Sequence, residues 1–244
     1  MARCLQVGML RKVSAMKRIC IAAVLSMSLL HAVERESPRA RKANERMRES
    51  GEVLQEILGA PDRKIPSWVL HRAHCAVIIP GIKKGAFIYG GQYGKGVVTC
   101  RAGRSGWTAP STIRVEGASF GLQIGGAEID GIIFIMNRAG KEKLMKSRFT
   151  LGAEAGAMAG PVGRSTKAET DAFMHAKILS YSRARGVFAG AAVEGGTLRV
   201  DNADNRAIYG PSSTHGKILS GGARTPTSAR PLLSLLSKHS ASEL

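Results

Sequence analysis

The chain has 244 residues, 44% of them hydrophobic, with 29 glycines, only 5% aromatic residues and a formal net charge of +18. That length suits one domain with appendages, and so many glycines beside so few aromatics argue against a helical bundle. The charge favours anionic partners such as nucleic acid, anionic lipid or acidic polymers, without choosing among them.

The first 32 residues carry Arg3, Arg11, Lys12, Lys17 and Arg18 and no acid. Ile19 to Leu30 is an apolar run behind Lys17-Arg18. A basic start followed by a short apolar stretch is the plan of a secretory signal, and the run falls short of the ~20 residues that span a bilayer. Residues 1–32 are therefore expected to be a signal peptide, with Met16 a second possible start and Ala32 the last residue removed. A buried N-terminal helix or an uncleaved anchor are the alternatives. From Val33 onward 31 basic residues face 18 acidic ones, leaving +13.

Glu34 to Lys64 is dense in charge of both signs, and Ala43, Met47, Leu54, Ile57 and Leu58 recur within it at helical spacing. Gly59-Ala60-Pro61 stops the pattern. This amphipathic helix either packs its apolar stripe on the domain, which its near-balanced charge favours, or lies on a membrane surface. Pro66–Ala73 reads as a short helix. Cys75–Ile79, Gly85–Gln92 and Gly96–Cys100 read as strands, with Gly94-Lys95-Gly96 as a hairpin tip. Ser119–Gly125 alternates, and Ile132–Met136 is a candidate for a strand buried on both faces. Arg138–Ser147 reads as a polar helix and Phe149–Met158 as a small-residue strand. Met174–Ser182 and Val187–Val193 flank a second hairpin turn at Arg183–Gly186, and Leu198–Val200 extends or follows it. Residues 33–210 are expected to form the domain. Residues 211–244, rich in Ser, Thr, Pro and Gly, read as a flexible tail with a short docking helix at Pro231–Lys238. The fold class is α+β: a mainly antiparallel sheet, sandwich or open barrel of short glycine-rich strands, with an N-terminal amphipathic helix and a few short helices.

Chemistry is sparse. Between Arg63 and Val115 there is no Asp or Glu but there are nine basic residues. Several sit at expected turns, so Lys83, Lys84, Lys95, Arg101 and Arg104 are the candidate contacts of a basic face, each worth about 1 kcal/mol near an anionic bilayer. Trp107, between Gly106 and Thr108-Ala109-Pro110, is the aromatic best placed for an interface. The glycines of Gly90–Gly96 do not make a phosphate loop, because Tyr89 and Gly96 stand where Gly and Ser or Thr are needed. His71, His74 and Cys75 lie close together, Asp171 and His175 are spaced i, i+4, and Glu128 and Asp130 flank one position. None has the company that catalysis or a metal site requires. Cys75 and Cys100 each sit in an apolar run, where they are either paired or free and buried. No catalytic residue, cofactor, metal or nucleic-acid partner is expected.

Several ordered blocks resemble the SYLF domain family in its bacterial exported type: IPSWVLHRAHCAVIIP at 65–80, GAFIYGGQYGKGVVTCR at 85–101, SFGLQIGG at 119–126, IIFIMN ending at 137, KSRFTLGAEAG at 146–156, GPVGR at 160–164 and ILSYSRARGVFAG at 178–190. The match runs from about Ala43 to Gly210. The resemblance implies non-enzymatic binding of phosphoinositide-like anionic phospholipid at a membrane surface, and in some eukaryotic members actin binding. With an export signal, the expected location is periplasmic or extracellular. The alternative is a protein-interaction module of the envelope, or actin-like filament binding, through the same basic face.

Overall fold

The computed structural model describes residues 36–59, 65–86, 90–103, 106–119, 125–146, 148–150, 157–159, 177–184, 187–189 and 196–240. The chain divides into two units, Met1–Ser37 and Pro38–Leu244. The expected signal peptide lies outside the described residues, and so do Arg104, Asp171 and His175.

The second unit opens with helix α1 (Pro38–Gly59), whose Ala40, Ala43, Met47, Val53, Leu54 and Ile57 are buried. These residues recur at the helical period, so one stripe packs on the domain while the charged positions face outward. The stripe thus packs as the near-balanced charge suggested. Helix α2 (Ser67–Arg72) follows. Strands β1 (Cys75–Ala86) and β2 (Gly90–Ala102) pair antiparallel. Next come β3 (Gly106–Trp107), β4 (Ser111–Ser119), β5 (Gly125–Ile135), helix α3 (Arg138–Leu144), β6 (Arg148–Thr150), β7 (Ala157–Ala159), β8 (Ile178–Ala184), β9 (Val187–Ala189) and β10 (Thr197–Val200). The path across the sheet is β6-β10-β4-β2-β1-β5-β8-β7, with β3 added to β2 and β9 to β8. Among the described residues, only the β7–β8 pairing is parallel. The sheet curls into a half-barrel, an α+β architecture as the sequence implies.

Both faces of the central strands are buried. On one, Ala76, Ile78, Val97, Ile132, Phe134 and Tyr181 pack with α1 and α2. On the other, Cys75, Val77, Ile79, Val98, Ile133 and Ile135 pack with Leu144, Phe149 and Leu198. Neighbouring residues of β1 thus serve opposite cores, which is why CAVII and IIFI are continuous apolar runs rather than alternating ones.

Three expectations change. Gly94-Lys95-Gly96 is not a hairpin tip: β2 runs straight through it, and the β1–β2 connection falls at residues 87–89. Nor does the strand expected at Cys75–Ile79 stop there, since β1 runs on through Pro80-Gly81 to Ala86. The register shifts between Ile78 and Lys83 instead, and Gly81 takes φ 58°. The glycines of β2 serve a close approach. A Cβ on Gly96 would lie 2.2 Å from the Ile78 carbonyl oxygen and 2.8 Å from Ile79 Cα, so this irregularity requires glycine opposite it. The expected strand Ser119–Gly125 lies mostly outside the described residues, between the last residue of β4 and the first of β5.

The third change is at the C-terminus. Where a flexible tail was expected, residues 202–240 fold into helix α4 (Asn202–Tyr209), the one-turn α5 (His215–Lys217), a turn Ile218–Gly222, a single 3₁₀ turn Thr227–Ala229 and helix α6 (Arg230–Ser240). The docking helix is α6, and its Leu232 and Leu236 are fully buried in the core beside α1 and α2. Polar composition between these apolar anchors conceals a packed segment.

Candidate functional site

The acid-free stretch of sequence is not acid-free in space. Strand pairing sets Glu128 of β5 against Lys83 and Glu116 of β4 against Tyr93. Helix α4 then delivers two carboxylates to Lys95. Asp201 caps α4, accepting from the Asp204 amide at 3.1 Å. Its other oxygen accepts from Lys95 Nζ at 2.7 Å. Asp204 receives Lys95, Arg39 and Arg46, each at 3.1 Å, with 4% of its side chain exposed. Burial opposes the charge on both Lys95 and Asp201. Their mutual hydrogen bonding outweighs it, holding the ammonium above its ordinary pKa and the Asp201 carboxyl below its own. Lys95 therefore ties β2 to α4.

Arg101 and Trp107 are also committed internally. The Arg101 guanidinium donates to the carbonyls of Leu70, His71, Ala73 and Ser240, and burial lowers its pKa from the ordinary value. It stacks on Trp107 at 4.8 Å from the ring centre. The indole is only 7% exposed and donates to Ser240 Oγ at 3.1 Å. This pair closes α2 and α6 over the end of β2.

Of the expected contacts, Lys83 is exposed and Lys84 half-buried, both near the β1–β2 hairpin end. Tyr93, the register partner of Lys83, is 49% exposed and is the exposed large hydrophobic residue among those described. Arg101 sits at the other end of β2, eight residues from Tyr93, a span of about 26 Å in a strand. The proposed residues thus do not converge on one patch.

The candidate reactive residues are equally engaged. Cys75 and Cys100 are register partners and form a disulfide, with both side chains buried. His74 loses basicity through burial and the nearby charges of Lys141 and Arg101. Asp130 accepts from the Gly81 amide and from Arg183, which also meets Glu56. Burial leads in holding Asp130 above the usual carboxylate pKa. Among the described residues no group of three His, Cys, Asp or Glu is placed to hold a metal.

One Ser–His contact has no counterpart in the sequence motifs. His215 Nε2 faces the Leu144 carbonyl at 3.0 Å, so that nitrogen carries the proton. Nδ1 then accepts from Ser111 Oγ at 2.7 Å. Asn205 Nδ2 donates to the same Oγ, and Asn205 Oδ1 accepts from the Thr112 amide. Every member is buried, so this chain fastens α4 and α5 to β4 rather than presenting a nucleophile.

The C-terminal elements and Asn44 of α1 also line an open polar cavity of about 450 Å³, with Lys217, Arg224 and Arg230 in its lining and no acidic residue there among the described residues. All three fall in the segment expected to be a flexible tail, where sequence alone does not single them out.

Residues 116–239 match the Ysc84 family, described as Las17-binding protein actin regulator. The chain belongs to the Ysc84 family. The resemblance to the SYLF family drawn from the ordered blocks is borne out as to the family alone, and the matched residues run past the boundary expected at 210. Over 188 residues the chain is 37% identical to Protein YSC84 of Saccharomyces cerevisiae, covering 74% of this chain and 39% of that protein. To LAS seventeen-binding protein 3 of the same species it is 37% identical over 185 residues, 74% and 40% of the two chains. To SH3 domain-containing YSC84-like protein 1 of Homo sapiens it is 31% identical over 199 residues, 81% and 57%. This Ysc84-family chain therefore spans between two fifths and three fifths of those relatives.

Proposed function

We propose that this chain is a non-catalytic module that binds anionic phospholipid headgroups and associates peripherally with a membrane. The observation that carries the reading is the pair Lys83–Tyr93: a lysine and an exposed aromatic ring side by side on adjacent strands. This combination suits a lipid interface, where the ring sits at headgroup depth and the ammonium meets phosphate. The excess of +13 after Val33 supplies the longer-range attraction. The internal pairing of Lys95 and Arg101 restricts the contact surface to the hairpin end and to cations elsewhere. Cys75–Cys100, together with the apolar run behind Lys17-Arg18, supports a periplasmic or extracellular location.

Cosedimentation with phosphatidylglycerol-containing vesicles tests this. Lys83→Glu with Lys84→Glu, and separately Tyr93→Ser, are expected to weaken binding about tenfold. Undiminished binding by both variants contradicts the proposed contact.

A second reading is binding to a protein partner through the same surface. The words Las17-binding and actin regulator in the family's description favour it. Retention of a partner from delipidated envelope extract, lost in the Lys83→Glu, Lys84→Glu variant, is its expected signature.

A further inference from the structure

Two sets of cations in this domain contrast with one another. Arg39, Arg46, Lys95, Arg114, Arg183 and Arg199 are neutralised by carboxylates. Lys217, Arg224 and Arg230 instead share a cavity of about 450 Å³ whose lining, among the described residues, holds no Asp or Glu, and all three are exposed. Hydroxyls of Ser212, Thr225 and Thr227 lie in the same lining. Three like charges around one polar hollow repel one another unless an anion joins them. Guanidinium groups and hydroxyls are the donors that match the several acceptor oxygens of a phosphoryl group.

A second groove, of about 510 Å³, shares Arg224, Thr225 and Arg230 with the first. Beyond that shared rim its lining holds Trp107 and Leu233 together with Gly106, Ser234 and Ser237. The basic hollow and this mixed groove, whose apolar contacts are Trp107 and Leu233, thus share two arginines. The indole of Trp107 is held in place there by Arg101 and Ser240, so the apolar wall is rigid before any ligand arrives.

We propose that this cavity is a headgroup site: the phosphoryl group of a phospholipid sits between Lys217, Arg224 and Arg230, and its apolar part follows the Trp107–Leu233 groove. The inference rests on the anionic-lipid reading above and gives the headgroup a place distinct from the hairpin end. The rim shared by a basic and an apolar surface favours a phosphate-headed amphiphile over free phosphate.

The test is calorimetric titration of the purified protein with dihexanoyl phosphatidic acid below its micellar concentration, with glycerol 3-phosphate as the arm that lacks acyl chains. Saturable binding of the lipid is expected, with glycerol 3-phosphate weaker. Arg224→Glu with Arg230→Glu is expected to weaken it about tenfold or more. Both residues are exposed, and an acid at the start of α6 favours the helix, so the fold should survive, as an unchanged melting temperature will confirm. Lys146→Glu with Lys177→Glu carries the same charge change outside the cavity lining and should bind as wild type. No saturable lipid binding, equal affinity in the arginine variant, or glycerol 3-phosphate binding as tightly as the lipid each overturns the proposal. Vesicle cosedimentation on the same proteins separates the two ideas. Vesicle binding with a flat titration removes the cavity and leaves the membrane reading. A saturable titration without vesicle binding supports the cavity and removes the membrane reading.

Discussion

Lys95 Nζ lies 2.7 Å from Asp201 Oδ2, across 106 residues of sequence. The contact turns a residue that looks like a surface cation in a glycine turn into a fastener between the sheet and α4. Lys95→Met leaves the carboxylates of Asp201 and Asp204 with less compensation in a buried setting. Arg39 and Arg46 still serve Asp204, so the expected loss is about 2 kcal/mol. Urea unfolding measures it, and vesicle affinity should not change.

The same pair sets an acid limit. The Asp201 carboxyl is held below its ordinary pKa in the folded state, so its contribution is full above the unfolded value of about 3.9. That contribution is lost as pH falls through the folded value. Lys95 runs the other way: its raised pKa gives stability that is full below about 10.4 and lost as pH rises through the folded value. Denaturant midpoints between pH 3 and 11 should fall at both ends, and less steeply in Lys95→Met.

His215 adds a nearer limit. Burial lowers its pKa, only partly offset by the bond to the Leu144 carbonyl. The unfolded imidazole takes a proton near pH 6.5 while the folded one resists it. Stability is therefore unaffected well above 6.5 and declines as pH falls from there toward the folded value. Melting temperatures at pH 7.5 and 5.5 should differ, and His215→Gln should shrink that difference while lowering stability at both.

Cys75 and Cys100 close a 25-residue separation between the central strands. Their bond is expected to contribute about 3 kcal/mol by restricting the unfolded chain. Both sulfurs are buried, so a reductant should act on the unfolded protein and leave the folded protein intact. Thiol labelling with and without urea checks this. Cys75→Ser should show the loss in denaturant unfolding.

Gly96 offers a sharp contrast with Gly91. Gly96→Ala brings a Cβ against the β1 backbone and should cost about 2 kcal/mol or more, whereas Gly91 has nothing within 4 Å of an added Cβ and tolerates alanine. Thermal unfolding of the two variants distinguishes them.

Much of the fold is legible in sequence because its signals are local. The stripe of Met47, Leu54 and Ile57 gives α1, and the continuous runs at Cys75 and Ile132 give strands buried on both faces. The turn at Arg183–Gly186 gives the β8–β9 hairpin, whose pairing of Ala184 with Val187 follows. Glycine is where local reasoning fails. At Gly96 it marks a close crossing of strands instead of a turn, which depends on Ile78 eighteen residues away. The site fails for a related reason. Local sequence shows that residues 63–115 lack acids, but Asp201, Asp204 and Glu128 are brought to that stretch by strand order and by α4. Conversely, Arg224 and Arg230 look solvated in a polar tail and become neighbours only because Leu232 and Leu236 anchor α6.

A salt series of vesicle cosedimentation, comparing phosphatidylglycerol-containing with pure phosphatidylcholine vesicles, tests membrane binding by this domain most directly. Binding should be confined to the anionic vesicles and should fall steadily as ionic strength shortens the screening length from about 10 Å at 0.1 M to about 3 Å at 1 M. Equal binding to neutral vesicles, or affinity that does not respond to salt, would contradict the reading of this domain as an anionic-membrane module.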